Sequence, residues 1–151
     1  MGYIIDTGSA LRLLIDSERR GGHVYLKHIG ISNDELLKRL LGSEGRHGRI
    51  HWISAFLSSQ DAASAVSQTL KNSPTDDISS VTLGRRADAA WESETDVGFR
   101  VRFAFGGGVQ TFVTKKMRIV IRANSLPPRF YIHTFFPLPP LEFDKAIKPG
   151  V

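Results

Sequence analysis

Between Val97 and Phe105 the apolar residues Val97, Phe99, Val101, Phe103 and Phe105 alternate with Gly98, Arg100, Arg102 and Ala104. A period of two sends alternate side chains to opposite faces of an extended chain, so this stretch predicts a strand buried on one face. Such strands belong to antiparallel sheets. After the turn residues Gly106-Gly107-Gly108, a second strand is predicted over 112–122, with Met117, Ile119 and Ile121 on one face and Lys116, Arg118 and Arg122 on the other. Asn124-Ser125-Leu126-Pro127-Pro128 breaks it, and Phe130 to Phe136 returns as a partner strand. Strict alternation there separates Ile132, Thr134 and Phe136 from Tyr131, His133 and Phe135. The Pro-rich stretch from Pro137 to Val151 is expected to be irregular.

The first half of the chain has helical punctuation instead. Asp6-Thr7-Gly8-Ser9 offers capping side chains ahead of Leu11, Leu14 and Ile15, and Gly21 offers a stop. The end of this helix, Asp16 to Arg20, reads as a solvated face. Ser32-Asn33-Asp34-Glu35 has the form of a capping box before Leu36, Leu37, Leu40 and Leu41, with Gly42 as terminator. Ile50 to Phe56 predicts a strand, and Ser58 to Asp61 caps a helix through Ala63, Val66 and Leu70. Lys71 to Ser80 reads as a loop, while Val81 to Glu94 has no clear period. Helices first and antiparallel strands second predict an α+β fold, in one domain over residues 1–151.

The chain has no cysteine, so neither a disulfide framework, a thiol nucleophile nor a cysteine zinc site is available. Its apolar runs fall short of the roughly 20 residues that span a bilayer, and no export leader is evident, so delivery would depend on something outside this chain. Twenty Lys+Arg against fifteen Asp+Glu give a formal charge of +5, which suits a polyanion. The cations opposite the apolar strand faces are read either as an ordinary solvated surface or as a phosphate-binding one.

Acid/base groups concentrate in Gly21-Gly22-His23-Val24-Tyr25-Leu26-Lys27-His28-Ile29-Gly30, followed by Lys38 and Arg39. Read as a helix, residues 23–29 would place His23 with Lys27 and Val24 with His28. An isolated histidine is more often structural than catalytic. Here two of the chain's five histidines lie close together beside cations. Imidazole exchanges protons near neutrality, and guanidinium holds phosphate. Periodicity does not separate Lys38 from Arg39, which flank the leucine stripe symmetrically. No group of His, Asp and Glu has metal-ligand spacing, and neither a Walker loop nor a Gly-x-Ser-x-Gly elbow is present. For Thr134 the simplest reading is β-propensity. His133 is a candidate proton-transfer group, on the face opposite Thr134 if the alternation is unbroken.

The 21–30 run and the Ser-x-Asp-Glu-Leu-Leu-x-Arg-Leu that follows it resemble the opening motif of bacterial RNase A-like toxin domains, found at the C-termini of CdiA-type and other polymorphic toxins. The likeness continues through Ser54-Ala55-Phe56, Gly106 to Val109, Arg118 to Arg122 and Phe130 to Pro137, and is weakest over Asn72 to Asp96. It implies short N-terminal helices packed on a curved antiparallel sheet, a pancreatic-ribonuclease fold without disulfides. It also implies metal-independent RNA cleavage to a 2′,3′-cyclic phosphate, with no cofactor. By position the motif assigns catalysis to His28, Arg39 and Thr134, with His23 also matching. Lys27, Arg118, Tyr131 and Phe136 are candidates for substrate binding. Phe136 stands where the family commonly has tyrosine, which removes a hydroxyl. The resemblance further implies interbacterial competition, delivery as the C-terminal part of a larger effector, action in the target-cell cytoplasm, and a cognate immunity protein binding a monomer 1:1. The alternatives are a non-catalytic RNA-binding module using the basic sheet with Trp52, Tyr131 and Phe135, and a metal-dependent nuclease.

Overall fold

The computed structural model describes residues 3–22, 32–38, 52–105 and 108–140. Helix α1 (Thr7–Arg19) and the helical residues 33–38 precede strand β1 (Trp52–Phe56). Helices α2 (Ser59–Lys71) and α3 (Asp77–Thr82) follow, then strands β2 (Asp88–Phe105), β3 (Gly108–Ala123) and β4 (Phe130–Pro137). The strands form one antiparallel sheet in the order β1-β2-β3-β4. The expected α+β architecture is therefore present.

The sheet curls until its two outer strands approach each other. The Phe56 ring on β1 stacks on Phe135 of β4, with centroids 5.6 Å apart and planes 4° apart. Beside them the Ser54 hydroxyl donates to the Pro137 carbonyl at 3.3 Å. Helices α1 and α2 supply the rest of the core: Leu14, Val66 and Leu70 are fully buried with Val101, Phe103, Met117, Ile119 and Ile121. The indole N–H of Trp91 donates to the Thr69 carbonyl at 3.1 Å, joining β2 to α2 through a satisfied polar contact.

The helix starts follow from capping chemistry. Asp6 accepts the Ser9 amide at 2.6 Å, and Ser58 accepts the Asp61 amide at 3.1 Å. The Ser9 amide bond, aided by the Ser9 hydroxyl, holds the Asp6 pKa below the ordinary carboxylate value, outweighing a small opposing effect of burial. A folded-state pKa below the unfolded one means that the unfolded chain binds this proton more readily. The contribution is complete above the unfolded pKa and is lost as pH falls through the folded value. Asp6→Asn keeps an acceptor without the titration, and is expected to flatten the acid side of a Tm-against-pH curve while leaving its shape near neutrality.

Several expectations are corrected. On α1 the buried face is Ala10, Leu13, Leu14 and Ser17, whereas Ile15 is exposed. Ser17, expected in a solvated stretch, is buried because its hydroxyl accepts the Ile132 amide of β4 at 2.9 Å. Four residues of the supposed 71–80 loop, Asp77 to Ser80, belong to α3. The stretch without a clear period, Val81 to Glu94, contains the end of α3 and the start of β2, whose pairing with β3 is interrupted further on by a bulge between Glu94 and Phe99. Three more residues on β2 than on β3 span that interval, so Val97 is exposed rather than aligned with Phe99 in the core. The bulge docks on α2: Asn72 donates to the Glu94 carbonyl at 3.0 Å, and the Asp96 amide donates to Gln68 at 2.6 Å.

Candidate active site

The decisive local event is on β4. Ile119 lies opposite Phe135 and Ile121 opposite Ile132, so both pairs share the buried face of the sheet. Two β3 positions apart, these pairs are three β4 positions apart. The register shifts between Val120 and Ile121, leaving His133 as the extra residue of a bulge. Alternation is thereby broken once. Phe130 and Ile132 are buried before the bulge, Phe135 and Pro137 after it, while Tyr131, His133, Thr134 and Phe136 are all half-buried.

The sequence-based division of β4 into two faces is thus overturned. Cross-strand neighbours share a face, and here Tyr131 lies opposite Arg122, Thr134 opposite Val120, and Phe136 opposite Arg118. Tyr131, Thr134 and Phe136 therefore line one surface together. His133 belongs to the same side: its ring meets Tyr131 edge to face, with centroids 6.4 Å apart and planes at 81°. Phe136 also approaches Trp52 of β1 at 6.2 Å, so an aromatic wall adjoins the polar residues.

This surface is not uniformly basic. Across the other edge of β3, Asp88, Glu92 and Glu94 lie opposite Arg122, Arg118 and Lys116. A salt bridge of 3.4 Å joins Arg118 to Glu92. The acids balance the β2 side of the face, and the hydroxyl and imidazole groups of β4 occupy the other side.

The N-terminal segment reaches the same strand from its outer edge. Beside the Ser17 contact, a Cβ added at Gly22 would lie 2.4 Å from the Ile132 carbonyl oxygen and 2.9 Å from that of Ser17. Only glycine fits so close to two backbones. A Cβ at Gly21, where φ is +105°, would lie 3.7 Å from the Tyr131 hydroxyl oxygen. The described chain resumes at Ser32, whose hydroxyl accepts the Glu35 amide at 3.1 Å, as the capping motif predicts. Leu36 is fully buried with Ala55 and Ala104, and Arg102 of β2 donates to the Asn33 side chain at 2.8 Å. The stretch between Gly22 and Ser32 is consequently tied to the sheet at both ends.

Gly22→Ala is expected to be destabilising by about 1–3 kcal/mol, since the new methyl meets backbone rather than a movable side chain. A lowered urea midpoint measures it. A midpoint equal to wild type would contradict the close approach.

Of the proposed site residues, Thr134, Tyr131, Phe136 and Arg118 are brought onto one face. His23, Lys27, His28 and Arg39 lie outside the described residues, as do Leu40, Leu41 and the possible 23–29 helix. Sequence reasoning placed His133 on the wrong side and overlooked Glu92 as the partner of Arg118. The opposite signs of Glu92 and Arg118 were visible, but only the strand register makes them neighbours.

Helices leading into a curled antiparallel sheet, with hydroxyl, imidazole and guanidinium groups on one strand face and no cysteine, define the ribonuclease A-like class of fold. The model of the Bacterial CdiA-CT RNAse A domain family matches residues 22–137, and the chain belongs to that family. The family is one of ribonuclease toxin domains in contact-dependent growth inhibition. The fold is also that of a solved chain in the crystal structure of a CdiA-CT/CdiI complex from Y. kristensenii 33638, with a TM-score of 0.58. The two are 23% identical, over 78% of this chain and 100% of that one. No curated protein matches.

Proposed function

We propose that this domain cleaves RNA by attack of a ribose 2′-oxygen on the adjacent phosphorus, leaving a 2′,3′-cyclic phosphate. The observation that carries this reading is the β4 bulge, which sets Tyr131, His133, Thr134 and Phe136 on one face beside Gly21 and Gly22, where the chain leads into the histidine-rich stretch. His28 takes the 2′-hydroxyl proton, making the oxygen a nucleophile. Arg39, with Lys27, balances the charge that grows on the phosphoryl oxygens. Thr134 donates to a phosphate oxygen or to a base, and His23 supports the same centre. Arg118 binds backbone phosphate, and Tyr131 and Phe136 stack against bases.

In this scheme imidazole and guanidinium do the work, so cleavage should persist in EDTA. Incubation of mixed RNA with the protein in EDTA, followed by analysis of the 3′ ends, tests it. Cyclic phosphate ends support the scheme. Loss of cleavage on chelation would overturn metal independence, and intact RNA with a salt-sensitive mobility shift would make the domain an RNA-binding module.

Since the similar Y. kristensenii structure is a complex of CdiA-CT with CdiI, a cognate immunity protein is the proposed partner here. A net charge of +5 favours an acidic one, bound 1:1 over the RNA face. Delivery as the C-terminal part of a larger effector and action on RNA in the target-cell cytoplasm complete the proposal.

A further inference from the structure

We propose that the pocket at the end of the sheet, between the close of α3 and the β3–β4 turn, binds a phosphate group. The source of that group rests on the ribonuclease reading: it belongs to the RNA backbone beyond the cleaved linkage. The pocket has a volume of about 290 Å³, with Thr82, Leu83 and Gly84 on one side and Asn124, Ser125 and Arg129 on the other. Among the described residues its lining contains no carboxylate.

The Asn124 side-chain nitrogen is buried with no hydrogen-bond partner. A buried donor left unpaired is destabilising, and a bound oxygen acceptor would relieve it. Arg129 makes no ion pair among the described residues, and its backbone holds a φ of +72°, where glycine would be accommodated more easily. A strained arginine thus brings a guanidinium to the pocket, and Ser125 adds a hydroxyl. Amide N–H, hydroxyl and guanidinium all donate, which suits the oxygens of a phosphate. The carbonyls that close α3 do not oppose it. Those of Ser79, Ser80 and Val81 already accept the amides of Leu83, Gly84, Arg85 and Arg86. The nearby acids face other arginines: Asp77 pairs with Arg86 at 3.3 Å, and Asp88 lies opposite Arg122. Arg122 stands two residues before Asn124 and opposite Tyr131, so it joins the pocket to the proposed RNA face. Thr134 lies opposite Val120, four residues before Asn124. At a strand's rise per residue the pocket is about 13 Å further along β3. A phosphate held at Thr134 does not reach it, but another phosphate of the same RNA strand does.

Two measurements on the full chain test this. Titration of isotope-labelled protein with inorganic phosphate is expected to shift the Asn124 side-chain amide resonances, which are identified by their absence from Asn124→Leu. Resonances unmoved by phosphate and by an oligoribonucleotide alike would overturn the site, whatever the protein does to RNA. The second measurement compares substrates. A ribodinucleotide has a single phosphate, which the cleavage site takes, whereas a longer oligoribonucleotide offers others to the pocket. Arg129→Ala and Asn124→Leu are each expected to raise KM for the longer substrate about tenfold with kcat retained, and to leave dinucleotide cleavage as in the wild type. Arg129→Ala should also flatten the logarithmic salt dependence of oligonucleotide binding by about 0.7. Asn124→Leu removes no side-chain hydrogen bond from the folded protein, so its denaturant midpoint should equal or exceed that of the wild type. Equal losses on both substrates would make the pocket structural and overturn the proposal. Phosphate-induced shifts with both substrates cleaved normally by the variants would assign the site to free phosphate and overturn its RNA source. Wild-type protein that cleaves neither substrate would overturn the ribonuclease reading, and the titration would still decide the pocket.

Discussion

Replacing His28 by alanine is expected to lower RNA cleavage by about 10² to 10⁴ with the fold retained, the usual cost of losing one positioned proton-transfer group. Arg39→Ala should produce a comparable loss for a different reason. Removing the guanidinium leaves the developing phosphoryl charge uncompensated, and Arg39→Lys should restore only part of the rate because an ammonium does not form the same bidentate pair. Cleavage of a defined RNA by each purified variant, with circular dichroism to confirm folding, measures both effects. Wild-type turnover by a folded His28→Ala protein would remove this histidine from the mechanism. An activity loss accompanied by unfolding would equally count against the assignment.

The second large effect concerns stability. Phe135→Ala is expected to cost about 3–5 kcal/mol, the range for truncating a fully buried phenylalanine. Folded domains of this size are stable by only about 5–15 kcal/mol, so much of the protein's margin would be lost. Phe135 closes the curl of the sheet by stacking on Phe56, and a cavity there separates β4 from β1. The neighbouring substitution Phe136→Ala should disturb folding far less, since its ring is half-buried beside Trp52 on the face proposed to meet RNA. It should instead weaken RNA binding by about 1–3 kcal/mol through lost stacking. Denaturant midpoints and RNA titrations of the two variants provide the comparison. An unbroken β4 alternation predicts the reverse order, so the pair tests the bulge directly.

Much of the architecture was legible because its causes are local. The caps at Asp6, Ser32 and Ser58 depend on side chains reaching amides three residues away, and each forms as its spacing predicts. The alternation of Met117, Ile119 and Ile121 against Arg118 and Arg122 likewise identifies the buried face of β3. Less was legible wherever a partner strand decides the outcome. Ser17 looks like part of a polar helix end until the unpaired Ile132 amide at the β4 edge claims its hydroxyl. Val97 fits a strand pattern, yet the extra residues opposite β3 carry it out to solvent.

By itself the sequence determined the change from helical to strand periodicity, the capped helix starts, a core independent of disulfides, and the motif that identifies the family. Only the tertiary structure decided which β4 side chains work together. Alternation is a property of one strand, but register is a property of two, and His133 becomes the extra residue only when β4 pairs with β3 on either side of it. That single insertion keeps Ile132 and Phe135 in the core while turning Tyr131, His133, Thr134 and Phe136 to the surface where the chemistry is proposed to occur.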